Sequence, residues 1–335
     1  MAALVVAAYH LQRFDLTIAP GGYLAVDFFF ALSGVVIARA YDRRLSNGLS
    51  TVAFMVARFI RLYPMFAIGM GFMVLKLGAK LAFGDASALP LPNFMVSMLL
   101  NGLMLPSPFG GEDVFPFNPP AWSLFFELAV NLAFAAVLVR LSQAALFIWL
   151  IAAGLGLAGC VWIFGSLNLG WNNETFGGGV ARVVFAFILG VIVERSGILN
   201  RATASRAFIL PVIVLCVCFC VGVTGSLRAL FDLGFALVVV PALLSWGGLA
   251  AAPQSARRAC EVLGDLSYPL YAIHVPLIFF AEIAQAKAGL AGIALFFVAQ
   301  CVLAYALGRY IDPPIRRWLT RCASPLLKDG GAART

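Results

Sequence analysis

Charge is what this sequence has least of. Only 11% of its 335 residues are Asp, Glu, Lys or Arg, against roughly 25% in an average soluble domain. A chain so poor in charge cannot cover a water-facing surface, which excludes an ordinary soluble globular protein. Histidine is scarcer still, with two residues. Seven cysteines are present, but no CxxC pair and no His/Cys cluster with zinc spacing, so no metal is expected. Cys216, Cys218 and Cys220 alternate inside an apolar stretch, where a spacing of two puts neighbours on different helix faces, and with Cys160 and Cys301 they read as packing residues. An internal repeat of the kind that builds many transporters is also missing.

Apolar residues are what the sequence has in excess. They make up 62% of the chain, with a mean hydropathy of +0.97. They fall into runs of about 16–24 residues, the length that crosses a hydrocarbon core of roughly 30 Å at 1.5 Å per residue. The runs lie near 1–16, 23–40, 60–82, 119–140, 144–165, 178–195, 205–225, 228–247, 264–285 and 289–311. A further stretch at 93–107, bracketed by Pro92 and Pro106, is short for a span and suits a re-entrant or interfacial element. The net charge of +8 sits in short basic clusters between these runs, a pattern that sets membrane topology and excludes a nucleic-acid partner. With ten spans, seventeen of the 23 lysines and arginines fall on one side and five on the other, with Arg182 inside a span. Counting 93–107 as a full span destroys that asymmetry. The expectation is an all-α polytopic bundle of about ten transmembrane helices with one short re-entrant or interfacial element and both termini cytoplasmic. The loops holding Gly21-Gly22, Glu112-Asp113 and Trp171-Asn172-Asn173 then face outside.

Polar residues inside a bilayer are costly, and each requires an explanation. His10 suits a general base acting on a hydroxyl, because neutral imidazole is cheaper to bury than a carboxylate and titrates near working pH; taken alone it is as readily a packing or capping residue. Ser267, Tyr271 and His274 share a helix face and either line a cavity or join two helices. Ser123, Glu127 and Asn131 form a second stripe, in which Glu127 reads as part of an active site or its support. Asp27 caps a helix start, accepts from an arginine or orients a histidine, and the glycine pair before it permits a turn joining the first two spans. Arg58 and Arg61, at i and i+3, suit bidentate phosphate binding or serve as topological anchors. Arg182 needs a carboxylate such as Asp27, Glu127 or Asp232.

In order along the chain stand AALVVAAYH (2–10), GGYLAVDFFFALSGVVIA (21–38), RFIRLYP (58–64), PPAWSLFFEL (119–128) and LGDLSYPLYAIHVPL (263–277). That series resembles acyltransferase family 3, the bacterial inner-membrane O-acyltransferases of O-antigen, exopolysaccharide and Nod factors, and the resemblance covers roughly residues 1–320 as one membrane domain. Residues 321–335 are left as a disordered cytoplasmic tail. The resemblance implies transfer of an acyl group, acetyl by family base rate, from cytoplasmic acyl-CoA to a hydroxyl of an extracytoplasmic glycan or lipid-linked sugar, with no bound cofactor. It implies that His10 is the general base and that Arg58 and Arg61 hold the donor. Glu127 and Asp27 join the catalytic set, with Trp122, Ser123, Arg182, Ser267, Tyr268, Tyr271 and His274 as substrate contacts or their supports. The family normally carries a basic residue eleven positions before its histidine; here that position falls ahead of Met1, which implies a start assigned too late or a shortened chain. The competing reading is a transporter or flippase of a lipid-linked or acyl substrate, which also needs intramembrane charge but transfers no acyl label.

Overall fold

The computed structural model describes residues 1–328 other than 202, 205, 248 and 249. Apart from a parallel pair of two-residue strands, Thr203–Ala204 and Ala250–Ala251, the named secondary-structure elements of the described residues are helical. Five helical stretches are long and apolar enough to cross a membrane: Gly22–Ser46, Thr51–Ala82, Gln143–Phe164, Ser226–Gly247 and Phe279–Cys322. Two shorter apolar helices, Ala121–Ala136 and Ile209–Cys220, accompany them. The protein is thus an all-α, polytopic membrane bundle.

The chain opens with α1 (Ala2–Tyr9), which tightens into a 3-10 turn over His10–Phe14, so that only the first half of the expected first span is α-helical. Next come α2 (Ala25–Ser46) and α3 (Thr51–Ala82). Ser50 begins α3 by accepting a hydrogen bond from the Ala53 amide, the usual way to satisfy an orphan N–H at a helix start. Helix α4 (Leu91–Gly102) occupies the stretch set apart from the spans by its length. Its 12 residues reach only about 18 Å at 1.5 Å per residue, too short to cross. Then follow α5 (Ala121–Ala136), α6 (Gln143–Phe164), α7 (Gly178–Arg195) and α8 (Ile209–Cys220). Helix α9 (Ser226–Gly234) continues through a π turn into α10 (Val240–Gly247). The last long helices are α11 (Gln254–Leu277) and α12 (Phe279–Ala306). Within α12 the chain reverses at Gly289, whose φ of 58° suits glycine, and a side chain at Gly292 would collide with the Ala284 carbonyl on the opposing leg. The expected tail is helical as far as Lys328, in α13 (Asp312–Cys322) and α14 (Ser324–Lys328); residues 329–335, with Arg334, lie outside the described residues.

Two packing devices position the site. Helices α2 and α7 cross at Gly34 and Gly190, where a Cβ on either would strike the backbone carbonyl of Phe187 or of Ala31. Small residues let membrane helices approach closely enough for van der Waals packing to hold them. The second device repairs a proline. Pro276 lies inside α11 and cannot donate to the Ala272 carbonyl one turn back. The Asn118 side-chain amide donates to that carbonyl instead, at 3.1 Å, and also reaches the Phe66 carbonyl of α3 at 3.4 Å. One buried amide thereby ties α3, α11 and the chain leading into α5 together.

Candidate active site

The deepest polar feature is an ion pair. Arg182 of α7 and Asp27 of α2 are 1% and 2% exposed, and their pairing is bidentate, Nε to Oδ1 at 3.0 Å and Nη2 to Oδ2 at 2.7 Å. The remaining donors of Arg182 reach the carbonyls of Leu169 at 2.8 Å and Tyr23 at 2.9 Å. The guanidinium also lies over the Trp122 ring, 5.2 Å from its centroid. Of the three carboxylates that could have paired with Arg182, Asp27 does so. Asp232 instead accepts from the Tyr23 hydroxyl and the Leu167 amide, each at 2.7 Å.

On one side of this pair lies a cavity of about 280 Å³ whose walls include His10, Tyr9, Arg13, Trp122, Arg182 and Tyr271. Of the glycine pair expected to bring the first two spans together, Gly22 does so by lacking a side chain: a Cβ there would sit 2.6 Å from that of Tyr9, one residue before His10, whereas Gly21 packs against the backbone of Cys218 and Phe219. Behind His10 stands His274, with ring centroids 5.0 Å apart. The Nδ1 of His274 approaches the carbonyls of Tyr271 at 2.8 Å and Leu270 at 3.2 Å. Carbonyls only accept, so Nδ1 carries the proton and Nε2 is left as an acceptor. That Nε2 is buried and has no partner.

A second cavity, of about 340 Å³, is lined by Arg58, Arg61, Ser33, Glu127, Ser267 and Tyr268, among others. Glu127 belongs here and not to the walls around His10. Its Oε1 accepts from Arg58 Nη2 at 3.2 Å, from Asn131 at 3.4 Å and from the Ser33 hydroxyl. The Nε of Arg58 is a buried donor without a partner. Arg61 lies over the Tyr268 ring and reaches toward Asp312 at 3.9 Å. Asp312 in turn holds Arg316 of α13, so three guanidinium groups gather at this end. Tyr268 donates to the Leu62 carbonyl of α3.

The two cavities share Tyr271 and Val26 as wall. The Tyr271 hydroxyl lies 2.6 Å from the Ser123 hydroxyl, which donates to the Pro120 carbonyl at 3.0 Å. The stripe Ser267, Tyr271, His274 is therefore divided. Its first two members line the arginine cavity, and His274 backs the histidine.

Sequence reading passed over two parts of this arrangement. Ser33, on the Gly34 turn of α2, carries no local signal of its contact with Glu127. The second part is a clasp of two long loops. Asp113 bridges to Asn172, and the Val114 amide donates to the Trp171 carbonyl at 3.3 Å. Asn101, fully buried, braces the first loop by donating to the Leu105 and Val114 carbonyls and accepting from the Phe117 amide. In the second, Asn172 accepts from the backbone and hydroxyl of Thr175. The clasp places Asp113, Trp171 and Asn168 on the walls of the histidine cavity.

A membrane bundle with a half-buried histidine on the wall of one cavity and clustered arginines on another fits the class of intramembrane group-transfer proteins. The chain belongs to the acyltransferase 3 family, whose acyltransferase domain matches residues 1–309, and it is an acyl-transferring membrane enzyme. It is similar to Protein 2 in the picA locus of Rhizobium radiobacter, 38% identical over 146 residues, 40% of this chain and 76% of that protein. It is also similar to the exopolysaccharide production protein ExoZ of Rhizobium meliloti (strain 1021), 28% identical over 320 residues, 93% of this chain and 92% of that protein. No solved structure matches.

Proposed function

We propose that the enzyme moves an acyl group, acetyl by preference, from cytoplasmic acyl-CoA to a hydroxyl of an extracytoplasmic glycan or glycolipid. In this reading the bundle crosses the bacterial inner membrane ten times with both termini cytoplasmic, and residues 1–320 form one domain. The observation that carries it is the pair of polar cavities meeting at Tyr271, one rimmed by arginines and the other holding His10. Arg58 and Arg61 receive the phosphates of CoA. The guanidinium fork suits phosphate oxygens, and the unpartnered Nε of Arg58 is a donor waiting for an acceptor. The name of ExoZ refers to exopolysaccharide production, which favours a polysaccharide acceptor.

The chemistry assigned to His10 is general-base catalysis. Its imidazole takes the proton of the acceptor hydroxyl as that oxygen attacks the thioester carbonyl. The new C–O bond forms, the C–S bond breaks, and the imidazolium returns its proton to the departing thiolate. His274 positions the base: its ring stands 5.0 Å from that of His10, and its unpartnered Nε2 is the acceptor for the imidazolium N–H once His10 has taken the proton. Glu127 and Asp27 act by holding Arg58 and Arg182, while Trp122, Ser123, Tyr271, Ser267 and Tyr268 shape the walls.

The test uses the purified full chain in lipid nanodiscs with [14C]acetyl-CoA and bacterial envelope glycan. His10→Ala lowers label transfer by about 10²–10⁴-fold without loss of CoA binding. Absence of transfer by the unaltered protein, or undiminished transfer by His10→Ala, overturns the proposal.

A further inference from the structure

The walls of the histidine cavity hold polar groups that the protein itself does not use. Asp113 is half-buried, yet its carboxylate makes no hydrogen bond or ion pair with any described residue. The same is true of the Trp171 indole N–H and of the Gln12 amide. The Asn168 amide has one weak partner, the Tyr9 hydroxyl at 3.3 Å. Polar groups shut away from water are ordinarily paired; the half-buried Asp113 and Trp171 are open, Asn168 is only weakly held, and the exposed Gln12 stands beside them on the same cavity, an arrangement that points to a ligand that completes them. Nor are they loose side chains on a mobile rim. The Asp113–Asn172 bridge, the Val114–Trp171 hydrogen bond and the buried Asn101 brace fix the backbone that carries Asp113 and Trp171.

We propose that Asp113, Trp171, Asn168 and Gln12 form a sugar-binding subsite that presents one neutral pyranose ring to His10. The inference rests on the acceptor reading above and adds where the acceptor ring sits and what kind of ring it is. A pyranose has an apolar C–H face and a rim of hydroxyls. The indole of Trp171 offers a flat apolar surface for the face, and Asp113, Asn168 and Gln12 offer acceptors and donors for the rim. A cavity of about 280 Å³ lies just below the usual range of small-molecule sites, roughly 300–1,000 Å³, a size that suits one ring of a longer glycan. Charge selects against acidic sugars. Asp113 and the adjoining Glu112 repel a uronic acid; of the two arginines on this cavity, Arg182 is neutralised by Asp27 and Arg13 partly offsets the acidic pair. A carboxylate accepts from two vicinal hydroxyls at once, which fixes the ring's rotation and thus which hydroxyl meets His10.

The probes are methyl β-glucopyranoside, methyl β-galactopyranoside and methyl β-glucuronide, offered to the full chain in nanodiscs. Binding is read by saturation-transfer NMR, and acyl transfer is followed in parallel with [14C]acetyl-CoA. The unaltered protein binds a neutral glycoside and rejects the glucuronide. Asp113→Ala weakens glycoside binding about ten- to hundredfold, the range for losing hydrogen bonds to a charged group, Trp171→Ala weakens it about tenfold through loss of the apolar platform, and both leave CoA binding unchanged. Asp113→Asn and Trp171→Phe, which keep the shape of the site, fold as the parent does and retain intermediate affinity. The subsite is overturned if no neutral glycoside binds, if the glucuronide binds equally well, or if the alanine variants bind glycoside like the parent. Failure of the donor reading has a different signature: glycoside bound through Asp113 and Trp171, with no label arriving from acetyl-CoA.

Discussion

Replacing Arg182 by alanine tests whether the buried ion pair holds the bundle together or takes part in the chemistry. This guanidinium donates four hydrogen bonds, two to Asp27 and one each to the Leu169 and Tyr23 carbonyls. Its removal leaves Asp27, 2% exposed, as an uncompensated charge, and breaking a buried pair in this way costs about 3–5 kcal/mol. That is a large share of a typical folding stability of roughly 5–15 kcal/mol. The double variant Asp27→Leu/Arg182→Met removes both charges while keeping much of the volume. It forfeits only the two carbonyl partners and some packing on Trp122, about 1–3 kcal/mol.

The double variant should therefore be more stable than Arg182→Ala alone by about 2 kcal/mol, the difference between those two ranges. Apparent melting temperature, read by size-exclusion of heated protein in detergent, should fall most in Arg182→Ala and recover partly in the double variant. Label transfer per folded molecule should fall much less than in His10→Ala. If Arg182→Ala melts like the parent and loses transfer as completely as His10→Ala, the pair belongs to the reacting machinery and the reasoning is wrong.

Glu127→Gln removes the counter-charge of Arg58 without changing shape. The Michaelis constant for acetyl-CoA should rise about tenfold, in line with loss of a charge-assisted hydrogen bond, and kcat should hold; a fall in kcat at unchanged KM would place Glu127 at the chemistry instead. The pH dependence of acceptor binding follows from Asp113, whose carboxyl is pushed up to about 6 by burial and then by Glu112, with Arg13 opposing. The ionised form accepts sugar hydroxyls best, so glycoside affinity should improve as pH rises through about 6, and that inflection should vanish in Asp113→Asn while any contribution of His10 on the same cavity persists. The same raised value works against stability: the fold favours the protonated carboxyl, so this group's contribution is full below the unfolded value of about 4 and declines as pH rises through about 6.

The crossing helices were legible because a bilayer demands long apolar runs, and Thr51–Ala82 or Gln143–Phe164 have little else to be. The shortness of Leu91–Gly102 was legible from Pro92 and the length of its run. Arg182 also announced a need for a carboxylate through the cost of leaving it unpaired. Which carboxylate it takes depends on the crossing of α2 and α7 at Gly34 and Gly190, a contact between distant segments that no local pattern encodes. Asp113 and Trp171 were harder still. Each is one polar or aromatic residue in a loop, and only the bridge between the two loops turns them into a wall.

Glu127 shows how a correct periodicity leaves the neighbour undecided. Ser123, Glu127 and Asn131 do share one face of α5, as their spacing requires. Successive members are nevertheless about 6 Å apart along the axis at 1.5 Å per residue, and that single turn separates two environments. Ser123 meets Tyr271 at the shared wall, whereas Glu127, one turn further, meets Arg58. Sequence spacing gives the face a side chain occupies, but depth decides which chemistry it joins. Under the proposed function, which brings donor and acceptor from opposite sides of the membrane, depth is the coordinate that matters. The hydroxyl pair of Ser123 and Tyr271 stands at the depth where the arginine cavity ends and the histidine cavity begins.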